Sequence, residues 1–269
     1  MTRRGAFDPS DVELPLRLVV IGDSTAFTDH RGPQLPDEPT LYPNVLADHL
    51  AERLDRPVAR TVLAQPGSTV RDAVRLVTKD RHAQFEVIGP ADAVVVGVGS
   101  FDHAPAGVPP SIQALVPFLR PDRLRRTVRT RLHAAYPHLV RLRRGRGRRT
   151  PTGEFHRLYG QLLDHVRGVT WGRAAGVVLG PTSHRSAYYG DRHPEHPRAE
   201  AEQLSLAVAH GFRAVAAWPL IRPQAEELNP DGIHWPTAAH RAVGLALADA
   251  LLPSLCGHDA QIGLPEDQG

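Results

Sequence analysis

The chain has 269 residues, enough for one large domain with a full core or two small ones, and its 41% hydrophobic content is ordinary for a globular protein. It contains no run of about eighteen apolar residues, so no membrane span is expected, and its single cysteine, Cys256, excludes an internal disulfide and a cysteine-rich zinc site. The net charge of +3 is unevenly spread, because twelve arginines and one acid, Asp122, fall between Arg120 and Arg149, which leaves the remainder acidic.

The opening "MTRRGAFDPSDVELPL" follows its arginines with acids and prolines instead of an apolar stretch. No signal peptide is expected, a cytoplasmic location is, and residues 1–15 are taken as a tail. "LRLVVI" from Leu16 is the first strand and stops at Gly22. In "LYPNVLADHLAERL", Leu41, Val45, Leu46, Leu50 and Leu54 recur at helical spacing. "VARTVLA" is a second strand and "TVRDAVRLV" a helix with Val70, Ala73, Val74 and Val77 on one face. "ADAVVVGVG" is a third strand, apolar throughout, as expected when both faces of a sheet are covered.

The arginine-rich segment follows, as an insertion over about 104–152. Then come a helix in "GEFHRLYGQLLDHV", a fourth strand in "AAGVVLGP", a helix ending at Gly211, a fifth strand in "FRAVAAWP", and a helix opening at Pro236. The domain is expected to close at Leu252, with 253–269 as a C-terminal tail. Strands alternating with helices imply a three-layer α/β/α domain around a parallel sheet of five strands.

Ligands of such sheets collect beyond the carboxyl ends of the strands. "GDSTAF" follows strand one, "AQPGSTV" strand two, "GVGSFD" strand three, and "NPDGIHW" lies beyond strand five. Serine is a poor nucleophile until a base takes its proton, and histidine is the usual base near neutral pH. A carboxylate can hold that imidazole in one tautomer. Ser24, His234 and Asp231 suit these three roles. Asp23 is expected to brace the turn around Ser24.

The stretches "VVIGDSTAF", "YPNVLADHL", Gly67, "GVGSFD" and "DGIHW" together resemble the SGNH or GDSL-type hydrolase superfamily, over roughly Leu16 to Leu252. The resemblance implies a flavodoxin-like sheet, Ser24 as nucleophile, and Asp231 and His234 as acid and base. In that superfamily the third block reads G-x-N-D, its asparagine amide donating to the oxyanion; here Phe101 stands in that position before Asp102. The oxyanion is then left to the backbone N–H groups of Ser24 and Gly67, with the Ser100 hydroxyl as a further donor. "GPQLPDEPTLYPNVLADHL", "RPDRLRRTVR" and "NPDGIHW" carry a narrower resemblance, to the SGNH-type diglucosylglycerate octanoyltransferases. It implies acyl transfer from an ester or acyl-CoA donor to a sugar hydroxyl. A non-catalytic carbohydrate- or lipid-binding module that keeps the fold is the alternative.

For the arginine-rich segment a solvated helical face, a nucleic-acid patch and a rim for an anionic substrate all have the right charge. Aromatic residues for base stacking are few there, mainly Tyr136, so no nucleic acid is expected. Arg125 and Arg126 are expected to meet phosphate or carboxylate, which guanidinium matches bidentately. Phe101, Asp102 and Trp235 are further candidates for substrate contact. "HPEH", His193 to His196, has ligand-like spacing but no third ligand nearby in sequence, and neither a metal nor a cofactor is expected.

Overall fold

The computed structural model describes residues 14–108, 112, 115–224 and 232–259. Five parallel strands, β1 (Leu16–Gly22), β2 (Val58–Ala64), β3 (Ala93–Gly97), β4 (Ala175–Leu179) and β5 (Arg213–Val215), form one sheet in the order β2-β1-β3-β4-β5. The register sets Gly22 beside both Ala64 and Gly97. Three strands therefore end level, and the turns that follow them share one rim. The strand order reverses between β1 and β3, which opens a crevice for ligands there.

Alternate residues of β1 face opposite layers. Leu16, Leu18 and Val20 pack with α1 (Tyr42–Leu54) and α6 (Thr237–Asp259), through Leu46, Leu50, Val243 and Leu247. Val19 and Ile21 face α2 (Val70–Lys79) and α4 (Thr152–Val169), through Val74, Val77, Phe155 and Leu162. Ala207 of α5 (His196–Ala209) joins this second layer. The expected three-layer α/β/α fold is thus observed. β5 is shorter than expected, because Ala217–Ile221 turn helical. Pro219, lacking an N–H, fits the first turn of a helix better than a strand. α6 runs on through Pro253 to Asp259, past the expected end at Leu252.

The arginine-rich insertion is built on α3 (Asp122–Leu142), of which Tyr136 and Val140 are buried. The Tyr136 hydroxyl donates to the Pro105 carbonyl at 2.9 Å. With Ala104, Val108 and Tyr189 these residues form a third, smaller apolar cluster. The chain then returns along the turn after β3. Ala106 N–H donates to the Gly147 carbonyl at 3.2 Å, Arg149 N–H to Ala104 at 3.2 Å, and Thr150 N–H to Asp102 at 2.9 Å. Arg148, almost wholly buried, is paired with Glu202 at 2.6 Å and Glu195 at 3.4 Å. Burial works against the charged form of Glu202, but hydrogen bonds from Arg148 and Arg198 prevail and lower its pKa to about 2. The base of the insertion is therefore stapled to the turn after β3 by backbone bonds and to α5 by a part-buried ion pair.

Candidate active site

Directly after β1, Asp23 caps a single 3-10 turn, Ser24–Ala26. Its Oδ1 accepts from the Thr25 N–H at 2.9 Å and the Thr25 hydroxyl at 2.7 Å. Burial raises the pKa of this carboxyl, although the two bonds from Thr25 and the nearby His234 ring favour its charged form. Asp23 thus braces the turn that presents Ser24. Gly22 gives this turn room, since a Cβ there would crowd the Ala26 Cβ at 3.3 Å and the Tyr42 hydroxyl at 3.4 Å.

From the other end of the chain, the segment before α6 brings in His234. Two anchors hold it. Gly232 has φ +64°, and a Cβ there would stand 2.6 Å from the Arg185 carbonyl carbon, so this close approach of two backbones requires glycine. Its carbonyl accepts from Arg185 N–H at 3.2 Å. On the other side, the Trp235 carbonyl accepts from His30 N–H at 2.9 Å, and the indole packs against Tyr42 and His240. Between these anchors the His234 Nε2 lies 3.0 Å from the Ser24 Oγ. That is hydrogen-bonding reach for transfer of the serine proton. Asp231 lies outside the described residues.

Gly67 lies between β2 and α2 with φ +64°. No acceptor for its N–H is found among the described residues. The Phe101 ring packs on it, 3.4 Å from where a Cβ would stand. On that ring lies the Arg149 guanidinium, 4.0 Å from the centroid. Ser100 Oγ accepts from the Thr182 N–H at 3.1 Å and keeps its own proton to donate.

Asp102 and Trp235 are corrected by the structure. Asp102 has no exposed surface; its carboxylate accepts from Val70 N–H at 2.8 Å and from the Thr150 hydroxyl at 2.6 Å. It ties the start of α2 to the base of the insertion and does not reach a ligand. Burial pushes its pKa up to about 6 against those two bonds. Trp235, only 1% exposed, belongs to the core under the histidine. Arg125 and Arg126 do line a cavity of about 630 Å³ between α3 and the rim, with Val116, Leu132, Tyr188 and Arg149. A volume of that order suits a small ligand.

The histidines near the rim are fastened elsewhere. Ring nitrogens of His184, His193 and His196 donate to the carbonyls of Ser100, His103 and Pro181, each at 2.8 Å. The first two join the loop after β4 to the turn after β3, the third holds the start of α5 to the loop after β4, and among the described residues no cluster of metal-ligating side chains occurs. Within the arginine-rich segment, sequence reasoning singled out Arg125 and Arg126 and did not single out Arg149. An arginine at the end of a run of arginines carries no local signal.

Two curated relatives are similar along nearly the whole chain. The diglucosylglycerate octanoyltransferase of Mycolicibacterium hassiacum is 29% identical over 245 residues, 88% of this chain and 96% of that protein. That of Mycobacterium tuberculosis is 28% identical over 259 residues, 93% of this chain and 95% of its own. Among solved structures, a lipase from a goat rumen metagenome matches with a TM-score of 0.58 at 14% identity, covering 87% of this chain and 97% of that one. A carbohydrate acetylesterase family member from Sinorhizobium meliloti matches with a TM-score of 0.55 at 16% identity, covering 90% and 100%. At such identities the structural likeness shows the fold. No family model matches the chain. Among the described residues no helix is long and apolar enough to cross a membrane.

Proposed function

We propose that this chain, an enzyme of the SGNH esterase or acyltransferase type, works through an acyl-serine intermediate and passes the acyl group to a sugar hydroxyl. His234 Nε2 takes the Ser24 proton as Oγ attacks the acyl carbonyl. The same ring returns that proton to the leaving group. Asp231, three residues before His234, holds the imidazole in the tautomer that leaves Nε2 free to accept. The tetrahedral oxyanion rests on the N–H groups of Ser24 and Gly67, with the Ser100 hydroxyl as third donor. A second cycle, with the acceptor hydroxyl in place of serine, releases the product ester.

The observation that carries this reading is the 3.0 Å approach of His234 Nε2 to Ser24 Oγ. The N–H of Gly67, which has no acceptor among the described residues, supports the oxyanion assignment. Transfer to a sugar, and an acyl chain of octanoyl type, are supported by the names of the two curated relatives. The test is mass spectrometry of products after incubation with octanoyl-CoA and diglucosylglycerate. An octanoyl ester of the sugar supports transfer, free octanoate alone reduces the reading to hydrolysis, and unchanged substrates contradict it.

A further inference from the structure

The cavity between α3 and the rim carries more positive charge than the acids beside it, Asp122 and the buried Asp102, can neutralise. Arg125 is paired with Asp122 at 3.2 Å. Arg126, Arg129 and Arg149, which also line the cavity, have no ion pair among the described residues. Guanidinium groups that converge on one concave surface repel each other, and an anion bound between them removes that cost. Beside His133, the other walls include the apolar or aromatic side chains of Val116, Leu132 and Tyr188. They suit a ligand that carries carbon as well as charge.

Arg149 lies at the catalytic end of this cavity. Its guanidinium rests 4.0 Å above the Phe101 ring, and the same ring packs on Gly67. An aromatic side chain at position 101 can hold a cation on its face, which an asparagine cannot. We propose that the cavity is an anion-binding subsite in which Arg126, Arg129 and Arg149 grip a phosphate or carboxylate of the donor or the acceptor, and that Phe101 is the positioning residue for Arg149. The choice of ligand rests on the acyl-enzyme reading above; the existence of the subsite does not, and its test avoids turnover.

Calorimetric titration of the full chain with four probes decides it: 4'-phosphopantetheine, its phosphate-free counterpart pantetheine, diglucosylglycerate, and the methyl ester of diglucosylglycerate. The wild type should bind at least one charged probe on the order of tenfold more tightly than its neutral counterpart, as hydrogen bonds to charged groups allow. Whichever charged probe shows this preference identifies phosphate or carboxylate as the anion. The preference should fall by about tenfold in Arg149→Gln and in the double variant Arg126→Gln/Arg129→Gln. Phe101→Leu should lower it as well, and Phe101→Tyr, which keeps the ring, should restore it. Equal binding of charged and neutral probes by the wild type, or a preference that survives loss of the arginines, overturns the proposal. Should Arg149→Gln fail to fold, the pair at 126 and 129, both exposed, carries the test alone.

Discussion

His234 Nε2 stands 3.0 Å from Ser24 Oγ although the two residues are 210 positions apart in the chain. The strand order places Ser24 at the crevice between β1 and β3, and α6 returns under the sheet to deliver the histidine. If this pair transfers the proton, His234→Ala should lower kcat/KM for a short-chain ester by about 10⁴-fold or more, with KM little changed. Asp231→Asn should cost on the order of 10³- to 10⁴-fold through the wrong tautomer. Steady-state kinetics on both variants check this, and near-wild-type activity in either removes that residue from the mechanism.

Phe101 occupies the position from which an asparagine donates in the superfamily that the sequence resembles. Phe101→Asn should then raise ester hydrolysis, on the order of a hundredfold, since one oxyanion donor is worth about 3 kcal/mol. The comparison of kcat between wild type and variant checks it. An unchanged or lower kcat would mean that the amide does not reach the oxyanion from this backbone.

The fold and the approach of His234 to Ser24 were legible because each leaves a pattern in its own neighbourhood. Apolar runs ending in Gly22 and Gly97 marked strands, and helical periodicity marked α1 and α2. "GDS" and "DGIH" bracketed the domain at its expected positions. Asp102 was misjudged because its partners, Val70 N–H and Thr150, are far from it in sequence, and a buried latch looks like a rim carboxylate until the loops are closed. Trp235 was misjudged because an aromatic residue beside a candidate histidine suits a pocket and a core equally well. The six residues Ala83–Ile88, which wind as a π-helix, gave no sign of it in their composition.

Asp102 gives a pH test of the latch. Its pKa is about 6 in the fold, from an ordinary 3.8, because burial penalises the carboxylate. Between about pH 4 and 6 the unfolded chain holds fewer protons at this group than the native one, so the group's contribution to stability falls as pH rises and is constant above that window. Asp102→Asn, which can accept from Val70 and donate to Thr150, should be free of that fall. Its stability relative to wild type should rise with pH by up to about 3 kcal/mol. Urea denaturation of both proteins at pH 4 and pH 7 measures the difference, and a pH-independent difference would contradict it.

Gly232 sets the approach of His234. Gly232→Ala meets both a left-handed φ and the Arg185 backbone, and should destabilise the fold by about 2 kcal/mol or more. Thermal melting reads this loss directly. A melting temperature equal to wild type would show that the loop before α6 is free to move without penalty.

The central claim is tested most directly by a fluorophosphonate probe followed by peptide mapping. A covalent adduct on Ser24, absent from Ser24→Ala and strongly slowed in His234→Ala, is the expected result. An adduct on another serine, or none on a folded wild-type protein, would contradict the account.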